Sequence, residues 1–233
     1  MKKIESNMRR AIEKYNLIDD GDKVAVGLSG GKDSLALLLG LSNMRKYLPQ
    51  KFELCAILID NGNPTNKFDD LQKFCNEQNV KLEIVHSDIF SVVFDVRKEK
   101  NPCALCAKMR RGLLCTTAKQ LGCNKLALGH HADDLIDTFF LSLIYEGRLS
   151  TFAPKSFLDQ TGITVIRPLL LSFEAEIEKA THNLPIQKNP CPANKKTKRE
   201  EMKLLVENLI KKYNTSRENL FRAITEKDRY NLF

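Results

Sequence analysis

The chain has 233 residues, 42% hydrophobic and 28% charged, enough for one sizeable core with appended helices and too few for two independent domains. Its start, MKKIESNMRR, is polar where a leader would be apolar, and its longest apolar runs, such as LALLLGL (35–41), fall far short of the ~20 residues of a membrane helix. Seven cysteines on such a chain disfavour a disulfide framework, so a soluble, cytoplasmic protein with reduced or metal-bound thiols and no membrane contact is expected.

Taken in order, short apolar runs alternate with helical patterns. After an N-terminal helical segment (1–20), KVAVGL (23–28) precedes a helix over 33–47, ELCAILI (53–59) one over 67–79, and KLEIVH (81–86) one over 102–119. KLALGH (125–130) then precedes 133–145, and TVIRPLL (164–170) precedes 173–180. Continuous apolar strands separated by helices predict a doubly wound α/β fold with a parallel sheet of about five strands, Rossmann-like, binding its ligand beyond the strand C-termini. In the tail, Thr197 with Glu200 and Thr215 with Glu218 form two capping boxes, each opening an amphipathic helix with Lys and Arg expected on its outer face. The organisation read from this is an N-terminal helix (1–20), a sheet domain with the CxxC helix (21–185), and a C-terminal cysteine loop with basic helices (186–233).

Charge follows the same division. The net +8 is made up of +3 in residues 1–16 and +5 in residues 195–233, with the remainder neutral. Basic ends on a neutral core suit an anionic macromolecule, and equally suit solvated helix faces; charge alone does not choose.

The turn after the first strand, SGGKDS (29–34), carries the first chemistry. A strand feeding a glycine-rich turn at a helix N-terminus offers unpaired N–H groups and a positive dipole end to phosphate oxygens. Gly30 and Gly31 permit close approach, while Ser29, Lys32 and Ser34 add donors and charge. Asp33 fits beside an anion as a helix cap or as a bridge to magnesium. The spacing is not that of GxxxxGK[ST].

In NPCALCAKMRRGLL (101–114), Asn101 suits an N-cap and Pro102 the first turn, so Cys103 and Cys106 share one helix face. A helix N-terminus favours thiolates, and the pair suits a redox couple, half a zinc site or part of an iron–sulfur site. At roughly 100° per residue Cys115 points away from Cys106. Cys55 and Cys75 read as core, and Cys123 precedes the fourth strand at the end of the sheet away from ligands. Cys191 remains, in the proline-flanked KNPCPANKK.

SGGKDS directly after the first strand resembles the fingerprint of the PP-loop ATP pyrophosphatases, which cleave ATP to AMP and pyrophosphate. CxxC plus one distant cysteine on such a domain resembles the tRNA 2-thiocytidine synthetase family, TtcA, whose motifs match in order: SGGKDS (29–34), CALCAKMRRG (103–112), GHHADD (129–134), FAPK (152–155), IRPL (166–169) and the single Cys191. The resemblance implies the adenine nucleotide alpha hydrolase-like fold, ATP with Mg2+, and a [4Fe–4S] cluster held by Cys103, Cys106 and Cys191, its fourth iron open to the sulfur being transferred. It also implies tRNA as partner, a sulfide donor such as a cysteine desulfurase, and a homodimer. A related uridine-thiolating group carries extra zinc ribbons built from further CxxC pairs, which this sequence lacks.

GHHADD ends the fourth strand, so His130, His131, Asp133 and Asp134 emerge beside the first-strand turn. His130 is a nucleotide-site candidate; Asp133 and Asp134 either hold magnesium or orient the target base, or else serve only the helix dipole. Asp60, ending the second strand, is a candidate of the same kind. Arg110, with Arg111, stabilises an anionic sulfur or meets RNA phosphate, or is a surface pair. The activity implied is adenylation of a cytidine ring carbonyl and its replacement by sulfur, giving 2-thiocytidine. Two alternatives stay open: sulfur transfer to another RNA base or a small molecule, and a non-enzymatic iron–sulfur or zinc sensor module.

Overall fold

The structure is a computed structural model that describes residues 1–63, 67–97, 102–187, 198–226 and 228. Six strands form one sheet: β1 (Lys23–Leu28), β2 (Glu53–Asp60), β3 (Lys81–His86), β4 (Lys125–Ala127), β5 (Lys155–Leu158) and β6 (Ile163–Ile166). Their order is β3-β2-β1-β4-β6-β5, parallel except for the β5–β6 pair. The helices are α1 (Lys2–Tyr15), α2 (Lys32–Met44), α3 (Asp69–Glu77), α4 (Ile89–Ser91, continued by a π-turn Val92–Val96), α5 (Pro102–Gln120), α6 (Ala132–Glu146), α7 (Glu174–Thr181), α8 (Lys198–Tyr213) and α9 (Arg217–Thr225).

The inner strands β1 and β2 are buried along nearly their whole length because both of their faces are covered. In β2, Leu54, Ala56 and Leu58 join the core beneath α1, α2 and α3, while Cys55, Ile57 and Ile59 join the core beneath α4 and α5. Helix α1 buries Ile4, Met8, Ala11 and Ile12, one stripe at helical spacing.

The expected α/β sheet is present, with three differences. The fifth parallel strand, β6, stops at Ile166 because Pro168 opens a 3-10 turn, Pro168–Leu171. An antiparallel edge strand, β5, was not expected from the sequence. Helix α9 is capped by Ser216, whose Oγ accepts from the Asn219 N–H at 3.2 Å, one residue after the expected Thr215. Thr197 and Asn101, the other expected caps, lie outside the described residues.

From β1 the chain winds outward through β2 and β3; from β4, on the other side, it crosses to the edge strand β5 and returns as β6 to lie beside β4. The direction reverses between β1 and β4, so the turns leaving these two neighbours open a crevice. Those turns are SGGKDS and GHHADD.

Candidate active site

Gly30 has φ +77°, the left-handed region that favours glycine, and the turn is held from within. The Ser29 N–H donates to Ser34 Oγ (3.1 Å), and Ser34 Oγ donates to the Gly31 carbonyl (2.9 Å). Gly129 lets the GHHADD turn lie flat on the start of α2: a Cβ there would sit 3.1 Å from the Asp33 carbonyl carbon and 3.2 Å from the Ser34 nitrogen. Between the two turns opens a cavity of ≈ 280 Å³. Ser29, Asp33 and Ser34 line it from one turn, His130 and Asp134 from the other, and Arg110 reaches it from α5.

Three acids converge on buried His131. Its Nε2 lies 3.8 Å from Asp33 Oδ1 and 3.5 Å from Asp134 Oδ2, and its Nδ1 lies 3.5 Å from Asp133 Oδ2. Burial acts to lower the His131 pKa, but Asp133, Asp134 and Asp33 outweigh it and raise the value. Burial pushes the Asp33 carboxyl up, opposed by His131 and Lys32. Asp33 Oδ1 is buried without a hydrogen-bond partner, as suits a carboxylate that receives a cation. Asp134 caps α6, accepting the His131 backbone N–H at 3.1 Å.

His130 stands apart electrostatically, lowered to about 4 by burial, with Arg167, Arg199 and Arg111 adding to the effect, so it is neutral near pH 7. Its ring packs 5.1 Å from Phe152, over which the Arg167 guanidinium lies at 5.0 Å. Arg167 is itself buried and donates to the Ala153 carbonyl at 2.6 Å. The FAPK and IRPL segments thus brace the wall of the cavity.

A second cavity of ≈ 190 Å³ also has Arg110 in its wall, together with Cys103, Cys106, Phe90 and Phe94. The two half-buried cysteines share the first turn of α5, a donor set suited to a metal cluster. Cys191 lies outside the described residues. Gln187, four positions earlier, donates its backbone N–H to the Gly30 carbonyl at 2.9 Å, and its side-chain amide donates to the Lys67 carbonyl.

The structure directs other expected site residues elsewhere. Lys32 does not line the cavity; its ammonium is 2.9 Å from Glu174 and 3.5 Å from Asp33. Asp133 is buried behind the cavity, accepting the Glu174 backbone N–H at 2.6 Å and paired with Arg217 at 3.0 Å. Asp60 pairs with His86 at 2.9 Å and accepts the Gly62 N–H at 3.1 Å, shaping the turn after β2. Cys55 and Cys75 are buried core residues, as expected, and Cys115 and Cys123, expected only to lie away from the ligand site, are buried in the core as well. The tail's basic side chains were expected outside, yet Arg199 reaches Asp134 (3.4 Å), Lys203 reaches Glu174 (2.8 Å) and Arg217 reaches Asp133. Sequence reading missed Glu174, Arg199, Lys203, Arg217 and Gln187; only the place of Glu174 in the first turn of a helix carried any local signal.

The strand order, the SGGKDS turn and its cavity define a nucleotide-binding protein of the PP-loop class, and residues 1–209 match the PP-loop domain family. The chain is 37% identical over 227 residues to the tRNA-cytidine(32) 2-sulfurtransferase of Dechloromonas aromatica, covering 96% of this chain and 79% of that protein. It is also 37% identical to the protein of that name from Geobacter sulfurreducens (96% of this chain, 89% of that one) and 38% to the one from Vibrio cholerae (96% and 73%). A solved structure, the U34-tRNA thiolase NcsA from Methanococcus maripaludis with its [4Fe-4S] cluster, superposes with a TM-score of 0.78 at 28% identity, covering 97% of this chain and 77% of that one. This chain belongs to the tRNA-cytidine(32) 2-sulfurtransferase family of PP-loop proteins. Among the described residues no helix is long and apolar enough to cross a membrane.

Proposed function

We propose that this chain is a cytoplasmic, ATP-dependent tRNA sulfurtransferase that converts a cytidine to 2-thiocytidine. The observation that supports this reading best is that Arg110 is in the wall of both cavities, so a nucleotide at the SGGKDS turn and sulfur near Cys103 and Cys106 would meet at one side chain.

A pyrimidine carbonyl oxygen is a poor leaving group. In the first step it attacks the α-phosphate of ATP; the new O–P bond forms as the bond to the β-phosphate oxygen breaks, and pyrophosphate leaves. In the second, sulfide attacks the activated C2; the C–S bond forms, the C–O bond breaks, and the oxygen departs with AMP. The SGGKDS turn receives the phosphates through the first N–H groups of α2. Asp33 and Asp134 would hold Mg2+ on them, and Lys32 would add positive charge. His130, neutral and braced by Phe152, offers a flat face to the adenine or the target base. Arg110 stabilises the anionic sulfur, while Asp133 and Asp60 act by positioning their turns. Cys103, Cys106 and Cys191 would hold the [4Fe–4S] cluster, which when bound supplies a site for the transferred sulfur.

The target cytidine must enter unpaired, as bases in RNA loops do. Sulfide would come from a donor such as a cysteine desulfurase. A homodimer is part of the reading, with Leu143, Ile144 and Tyr145 in the last turn of α6 and Leu149 just beyond it as exposed apolar surface for a second copy. The test is mass analysis of nucleosides in bulk tRNA from cells with and without the gene: loss of 2-thiocytidine is expected, and an unchanged profile overturns the reading.

A further inference from the structure

Glu174, the first residue of α7, is shared by two lysines from distant parts of the chain. Its Oε1 accepts from Lys32 Nζ at 2.9 Å, its Oε2 accepts from Lys203 Nζ at 2.8 Å, and its own N–H donates to Asp133 at 2.6 Å. The three side chains are a fifth to a third exposed. Burial acts to raise the Glu174 pKa, but the two lysines outweigh it and hold the carboxyl at about 2. Lys32 is the first residue of α2, where an ammonium best meets a phosphate at the turn, yet its partner is this carboxylate.

We infer that Glu174 is a positioning residue that competes with pyrophosphate for the Lys32 ammonium and so promotes pyrophosphate release. A phosphate at the turn must draw Lys32 from Glu174, and when pyrophosphate departs Glu174 takes the ammonium back. Lys203 makes the exchange possible, because its charge leaves Glu174 compensated while Lys32 is engaged elsewhere. The tail helix α8 therefore sets how tightly the turn holds its product. This deepens the functional reading above and rests on pyrophosphate being formed in this cavity.

The experiment is calorimetric titration of the full chain with magnesium pyrophosphate, in wild type, Glu174→Gln and Lys203→Met, with melting curves to confirm folding. Glu174→Gln removes the competitor, so pyrophosphate should bind about fivefold more tightly, and product inhibition should strengthen alike. Lys203→Met leaves Glu174 with Lys32 alone, so binding should weaken about fivefold. General damage would weaken both variants, and a plain charge effect would persist without Lys32; in a Lys32→Met background the gain from Glu174→Gln should vanish if Glu174 and pyrophosphate compete for that ammonium, and a gain that survives there overturns the inference. Unchanged or weaker binding in Glu174→Gln, or tighter binding in Lys203→Met, overturns the inference. If the signs appear but tRNA is not thiolated, the inference stands and the assigned substrate falls.

Discussion

The Arg217 guanidinium stands 3.0 Å from Asp133 Oδ1, tying α9 to the GHHADD turn. Asp133 is buried, and burial acts to raise its pKa, but His131, the Glu174 N–H and Arg217 outweigh this and hold it below the ordinary value. Arg217→Ala should therefore cost about 2–3 kcal/mol, because it strips a partner from a buried carboxylate. Chemical denaturation measures the loss, and Asp133→Asn in the Arg217→Ala background should recover part of it.

Gly30→Ala should abolish pyrophosphate release and lower the melting temperature. The substitution forces an L-residue into φ +77° and sets its Cβ 2.9 Å from Gln187 Oε1. The left-handed conformation alone costs about 1–2 kcal/mol. A fully active, equally stable variant would contradict the described turn.

Arg110 and the cysteines separate by readout. Cys103→Ala and Cys191→Ala, purified anaerobically, should lose the brown cluster absorbance to the same extent, whereas Cys75→Ala and Cys115→Ala should keep it. Arg110→Ala should keep both iron and nucleotide binding but lose about 100-fold in thiolation rate. Full iron in Cys191→Ala would remove that residue from the ligand set.

Asp137 gives the protein a pH-dependent stability. Burial, with Asp134 and Asp133 adding to it, raises its pKa to about 7 against the pull of Arg217, and its Oδ1 has no hydrogen-bond partner. The ordinary value is 3.8, so the folded state holds this proton more tightly than the unfolded chain does. Stability from this group is greatest below the ordinary value and is lost as pH rises towards about 7. Asp137→Asn escapes that loss. Melting curves should show the variant gaining on wild type from pH 5 to pH 8, and a constant difference would count against the buried acid.

The SGGKDS turn, GHHADD and the CxxC helix were legible in the sequence because each is a local arrangement: a strand, a glycine and a helix start fix where the side chains emerge. The edge strand β5 was harder. Its alternation of exposed and half-buried residues, Lys155 to Leu158, runs for only four positions, too few to stand out from a loop. Lys32 and Asp133 were found but their directions were not, because motif spacing assigns a helix position and not a partner. Lys32 meets Glu174 across 142 positions of sequence, and nothing near either residue encodes that pairing. The basic tail misled for the same reason: charge counts do not show that Arg199, Lys203 and Arg217 have acidic partners inside.

Those inward-facing tail cations make the C-terminus a poor place to cut. A chimera that joined this sheet to a relative's terminal helices would import cations with no guarantee of meeting Asp133, Asp134 and Glu174 in register. The β5–β6 hairpin, where Phe157 projects into solvent, is a freer place for exchange, since that side chain owes nothing to these three acids.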